Sequence, residues 1–198
     1  MTESAPPPKL APPGAGIPAF ERLVGGSLLK LRRLLGTPSM FTAQFERERR
    51  TIASLYAGPD ASVLSARVLI PRLRGLEDSS RFWSVWMTLD HLRIVNDSIT
   101  GVIGELTQGR VPEGTASTAR VKPSERVGAE VVGAYEASCD RLLELITLKP
   151  KLRTELRYAH PWFGPLDAAG WHAISAMHMG IHRAQIERIL RDAPRRRA

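Results

Sequence analysis

His178 and His182 stand four residues apart in the stretch LDAAGWHAISAMHMGIHRAQIERIL, which runs from Leu166 to Leu190. Read as one long helix at about 3.6 residues per turn, that spacing stacks the two imidazoles on one face, where both can reach a common point. The same face carries Ile174, Ser175, Ile181, Gln185 and Ile189. A stripe that is apolar except for two histidines, a serine and a glutamine reads as a polar pocket inside a helical bundle. Two ligands do not make a metal site, however, and an isolated HxxxH pair is equally at home on an ordinary helix surface.

A third nitrogen is available from His91, in the middle of SRFWSVWMTLDHLRIVNDSITGVIGEL. Met87, Thr88, Ile94 and Val95 flank it one turn either way. An imidazole in such apolar company must satisfy both ring nitrogens locally or bind something. Together, His91, His178 and His182 would offer the donor set of an open catalytic zinc-type site, with water in the remaining position. Such an ion could lower the pKa of a bound thiol or water and so supply thiolate or hydroxide near neutral pH. His172 is about 120° away from His178 around the helix, and His160 lies in a Pro-rich turn, so both fit the set less well. No carboxylate sits one turn from a ligand on the histidine face, which leaves the general base unassigned. Gln185, Ser175 and Thr88 are either pocket groups or ordinary hydrogen-bonded helix residues. Trp83, Trp86, Trp162 and Trp171 read as core. Cys139 reads as a small packing residue, with no adjacent base to activate it.

The elements that must position these residues follow from their punctuation. The segment from Ile17 to Leu35 is helical in at most two pieces, because Gly25-Gly26 interrupts it. Its second half, SLLKLRRLL, is basic and amphipathic; docking of its leucines on the domain is the expectation, and a membrane-surface role the alternative. Gly36-Thr37-Pro38 supplies a stop, an N-cap and a first-turn proline, opening a helix to about Tyr56 with Phe41, Phe45, Ile52 and Leu55 inward. Val68-Leu69-Ile70 is compatible with extended chain. Ser79 or Ser80 then caps the His91 helix, which runs to about Leu106. Ser124 opens the next helix, which ends at Lys149-Pro150, and Asp167 caps the last, which continues to about Asp192. Between Thr107 and Pro123 lies a long polar connection. It can span ~55 Å, against ~40 Å for the preceding helix, so the following helix can run parallel to it.

Four substantial helices with almost no strand signal predict an all-α four-helix bundle over residues 17–192, with 17–36 as an accessory segment. The opening MTESAPPPKLAPPGAG, residues 1–16, reads as a flexible Pro-rich tail without the features of a secretory signal, and 193–198 as a basic tail. The 28 Lys and Arg exceed the 20 Asp and Glu, but they are scattered, which argues against specific nucleic-acid binding. One cysteine in 198 residues excludes an internal disulfide framework and fits a cytoplasmic protein. No apolar run is long enough to be a transmembrane segment.

WMTLDHL on a tryptophan-bearing helix, followed by HMGIHRAQI on the final helix, resembles the DinB-like (YfiT-type) superfamily. The turn HPWFGPL leading into W-x6-H-x3-H is similar to one of its branches. The resemblance covers roughly Pro38 to Leu190. It implies a bundle of up-down-down-up course with a long crossover between the second and third helices. It also implies a divalent metal, usually nickel or zinc, held by His91, His178 and His182, and frequently a homodimer. Characterised relatives include thiol-dependent transferases and isomerases, so a low-molecular-weight thiol is an implied cofactor. The expected function is a metal-dependent thiol transferase or hydrolase acting on a small molecule. The alternatives are a non-catalytic bundle binding metal or a small ligand, and an anion-binding module that uses the net positive charge.

Overall fold

The computed structural model describes residues 8–149 and 151–193. The first seven residues of the Pro-rich stretch and residues 194–198 of the basic tail, with Pro150, lie outside these. Six helices follow in order: α1 (Ala19–Leu35), α2 (Pro38–Ala57), the short α3 (Ala61–Ser65), α4 (Val85–Thr107), α5 (Val131–Leu148) and α6 (Ala168–Asp192). Among the described residues there are also two small antiparallel pairs, β1 (Val68–Leu69) with β2 (Phe82–Trp83) and β3 (Tyr158–His160) with β4 (Gly164–Leu166), and 3-10 turns at Asp78–Ser80 and Thr118–Val121.

The bundle consists of α2, α4, α5 and α6. Helix α6 packs on both α2 and α4, and α4 packs on α5. The ring closes through Arg49 of α2, which bonds Glu136 and Asp140 of α5. Phe41, Phe45 and Ile52 of α2, Leu89, Leu92 and Ile103 of α4, Tyr135 and Leu142 of α5, and Met179 and Ile186 of α6 fill the interior. Cross-helix pairs include Thr42 with His172, Gln44 with Ala176 and Glu48 with Arg183 between α2 and α6. Among the described residues, no helix is long and apolar enough to cross a membrane.

Helix starts follow capping chemistry, though not always at the expected serine. The Thr37 hydroxyl accepts from the Met40 amide and Asp167 accepts from the Gly170 amide, as their positions predict. Helix α4, expected to start at Ser79 or Ser80, is capped instead by Ser84, whose hydroxyl accepts from Met87 N. The difference is tertiary: Phe82 and Trp83 are drawn into pairing with Leu69 and Val68. Arg81 adds a bond to the Ile70 carbonyl at 2.8 Å. Likewise α5 begins at Val131 rather than Ser124, because the Ser124 amide is tied to Asp90 of α4 at 2.9 Å and the chain must first clear Gly128.

Helix α1 departs most from its expected form. It is unbroken through Gly25 and Gly26. A Cβ at Gly25 would lie 3.2 Å from the Phe163 ring, so the missing side chain admits the β3–β4 hairpin. Only Leu29 of its leucines is buried; Leu23, Leu28, Leu31, Leu34 and Leu35 all face outward. The Pro-rich stretch that reads as a flexible tail is also held, from Ala11 to Gly16. The Ala11 amide donates to Asp78, and the Gly14 and Gly16 amides donate to Glu77.

Candidate metal centre

His91 sits two turns into α4, and His178 and His182 flank the midpoint of α6, so packing of α4 on α6 brings the three rings together. Each offers a nitrogen, and these atoms lie within 4.8 Å of one another. Ring centroids are 5.0 Å apart for His91 and His178, 4.5 Å for His91 and His182, and 4.4 Å for His178 and His182. His91 and His182 are buried, while His178 is half-buried and forms the side of the cluster nearest the surface.

The hydrogen bonds decide which nitrogens are free. His91 Nδ1 lies 2.6 Å from the Val121 carbonyl oxygen, which can only accept, so the proton is on Nδ1 and Nε2 carries a lone pair. Gln185 donates its amide to the Ser80 carbonyl, which orients its own carbonyl to accept from His182 Nδ1 at 2.7 Å. His182 Nε2 therefore also keeps its lone pair. His91 Nε2 faces His178 Nε2 at 3.1 Å, and His178 Nδ1 is buried without a hydrogen-bond partner. Three nitrogens bound to an ion at 2.0–2.1 Å in tetrahedral array would be about 3.4 Å apart. The His91–His178 pair, at 3.1 Å, is close to that spacing, and the donor set suits zinc or nickel better than an oxygen-preferring cation.

Electrostatics keep the rings neutral. Burial pushes His91 down to about 4, and the nearby Lys122 cation acts in the same direction against the bond to Val121. Burial holds His178 and His182 well below the ordinary imidazole range, and their neighbouring histidines add to it. Neutral imidazole is the form that ligates metals.

Trp83 of β2 lies against the cluster, its ring stacked on His182 at 6.2 Å and tilted on His91 at 5.1 Å. Lys122 Nζ stands 5.4 Å above that same indole. Its ammonium donates to Glu77 at 2.7 Å and to Ser79 and Ser80, so the 118–122 segment is locked over the site. Glu77 also accepts from Thr118. Burial works to raise its pKa, but the bonds from Lys122 and Thr118 outweigh that and hold it below the usual carboxylate range.

The remaining residues singled out by sequence sort clearly. Gln185 touches a cluster histidine, whereas Ser175 donates to the His172 carbonyl and Thr88 to the Ser84 carbonyl, as ordinary helix hydroxyls do. His172 lies against Thr42 and Phe41, away from the cluster, and His160 sits in the hairpin against Phe163 and Trp171. Cys139 is buried, and burial pushes its thiol up to about 12. Val121 and Lys122 were not foreseen; a backbone carbonyl acceptor leaves no signature in residue type.

Among curated proteins none matches the chain. The chain is similar to the crystal structure of TT2238, a four-helix bundle protein, with 22% identity and a TM-score of 0.56 over 76% of this chain and 98% of that one. That likeness is one of fold. The model of the DinB superfamily matches residues 44–186, a span that includes α4, α5 and all three clustered histidines. By that match, the chain belongs to the DinB superfamily.

Proposed function

We propose that His91, His178 and His182 hold a divalent ion, nickel or zinc, and that the protein is a metal-dependent thiol transferase or hydrolase acting on a small molecule. The observation that carries this reading is the pair of second partners. Val121 and Gln185 each accept a hydrogen bond from an Nδ1–H, which leaves the Nε2 lone pairs of His91 and His182 free to ligate. When bound, the ion would supply an acidified thiol or water as nucleophile. The chain's own residues hold the imidazoles in their tautomers, keep them neutral by burial, and shield one side with Trp83. A cytoplasmic setting, where a low-molecular-weight thiol is abundant and Cys139 stays reduced, accords with this chemistry.

A second reading, binding of metal or a small ligand without turnover, is favoured by one observation. Among the described residues, no carboxylate hydrogen-bonds to the three histidines, so no general base is at hand.

The course up-down-down-up is part of the same proposal. Its support is the order of contacts: 42, 44 and 48 on α2 meet 172, 176 and 183 on α6, while Trp83 and His91 meet His182 and His178. Metal analysis of untagged protein tests the site. Wild type should carry a stoichiometric ion that a triple variant, His91→Ala with His178→Ala and His182→Ala, lacks; equal uptake by the two overturns the assignment.

A further inference from the structure

Helix α1 is clamped to the molecule by one row of residues at intervals of four. Glu21 is ion-paired to Arg72 and accepts from the Gly75 amide, Gly25 abuts Phe163, Leu29 is 1% exposed, and Arg33 grips Asp167. Residues four apart share a helix face, so this row fixes the roll of the helix about its axis. What it turns to the outside is the apolar side. Phe20 is 74% exposed, Leu23 69%, Leu31 52%, Leu34 66% and Leu35 70%. With Val24 they occupy an arc of about 120° along a 17-residue helix roughly 25 Å long. This inverts the usual arrangement, in which the apolar stripe of a surface helix faces the core.

The charges beside the arc are positive. Lys30, on one border, is exposed, has no ion-pair partner among the described residues, and shares a cleft with Arg157. Arg32 on the other border bonds only the neutral Gln44. The single acid of the helix, Glu21, is already consumed by Arg72 and Gly75. A second α1 laid against this face would therefore bring cations with nothing to meet them. A surface that is apolar below and anionic above meets both features at once, as interfacial helices rich in Leu, Phe, Lys and Arg do.

We propose that the outward face of α1, formed by Phe20, Leu23, Val24, Leu31, Leu34 and Leu35, docks on an anionic lipid bilayer. The helix lies in the headgroup plane with its apolar arc inserted, while Glu21, Leu29 and Arg33 keep the bundle attached. The association is independent of the histidine cluster.

Cosedimentation of the full chain with vesicles tests this. Vesicles of phosphatidylcholine containing phosphatidylserine should bind more protein than phosphatidylcholine alone, and salt should weaken the difference. Leu23→Glu with Leu31→Glu should lower binding to the anionic vesicles by about tenfold or more. Helical circular dichroism should be unchanged, because both side chains already meet water. Should that variant fail to fold, Lys30→Gln with Arg32→Gln reads the electrostatic part, lowering anionic-vesicle binding about fivefold or more. Absence of wild-type cosedimentation overturns the proposal, as does equal binding by wild type and the double glutamate variant. A wild-type dimer that the glutamate variant converts to monomer, with no vesicle binding by either, would make the occupant a second copy.

Discussion

His182 and Gln185, three residues apart on α6, are joined at 2.7 Å, and the Gln185 amide is itself anchored to the Ser80 carbonyl at 2.8 Å. A buried glutamine thus fixes the tautomer of a buried histidine from the same helix. Gln185→Leu should lower metal affinity about 10- to 100-fold while leaving His91, His178 and His182 in place. Isothermal titration of zinc or nickel checks this; a loss of thermal stability at unchanged affinity would reduce Gln185 to a packing residue.

Metal should stabilise the folded wild type by mass action, about 2.7 kcal/mol at a hundredfold excess over the dissociation constant. The rise in melting temperature should vanish in His91→Ala, which removes the ligand that α4 contributes to the set. It should persist in His160→Ala, since that ring packs in the hairpin. Thermal melts with and without added metal decide the point.

His172 gives a pH dependence that metal does not share. It is 1% exposed, and burial pushes it down to about 4. In the unfolded chain it takes up a proton below about 6.5, whereas in the folded chain it stays neutral until about 4. Full stability is therefore present above about 6.5 and is lost as pH falls toward 4, by up to roughly 3 kcal/mol from this residue alone. Urea unfolding across that window should show a shallower pH slope in His172→Gln than in wild type.

The two glycines of α1 should respond differently to alanine. At Gly26 an added Cβ would meet Phe163 at an ordinary 3.6 Å, so Gly26→Ala should stabilise by about 0.5–1 kcal/mol through helix propensity. At Gly25 the added atom would sit at 3.2 Å, and the crowding should cancel part or all of that gain. Chemical denaturation midpoints of the two variants should separate accordingly.

Glu77 is buried and paired with Lys122, and holds the Gly14 and Gly16 amides as well. Glu77→Ala should cost about 3 kcal/mol by leaving Lys122 without its partner. It should also loosen the 14–16 segment, giving faster limited proteolysis there; unchanged cleavage would show that other contacts, such as Ala11 on Asp78, hold the segment.

Much of this arrangement can be read from residue types. Threonine before proline at 37–38 and aspartate before alanines at 167–168 mark helix starts, because capping is a local interaction. The histidine cluster is legible for a related reason: three mid-helix imidazoles on two long helices have few other uses. Features set by distant partners are not legible. Ser84 wins over Ser79 only because β1 captures Phe82 and Trp83. Gly25 and Gly26 look like breakers until Phe163 is seen to lie on them. The leucine pattern of α1 defines a stripe, but its orientation depends on Arg72 and Asp167, far away in the chain.

The central place of α6 has a consequence for biosynthesis. Among the described helices it is made last, and it packs against α1, α2 and α4, which are made well before it. At about 5–20 residues per second, the ribosome needs on the order of ten seconds to pass from α4 to the end of α6. Throughout that interval Phe41, Phe45 and Leu89, all buried in the finished molecule, lack the surface that covers them. A chain stopped before residue 168 would keep those side chains uncovered, and would favour aggregation over a smaller folded product.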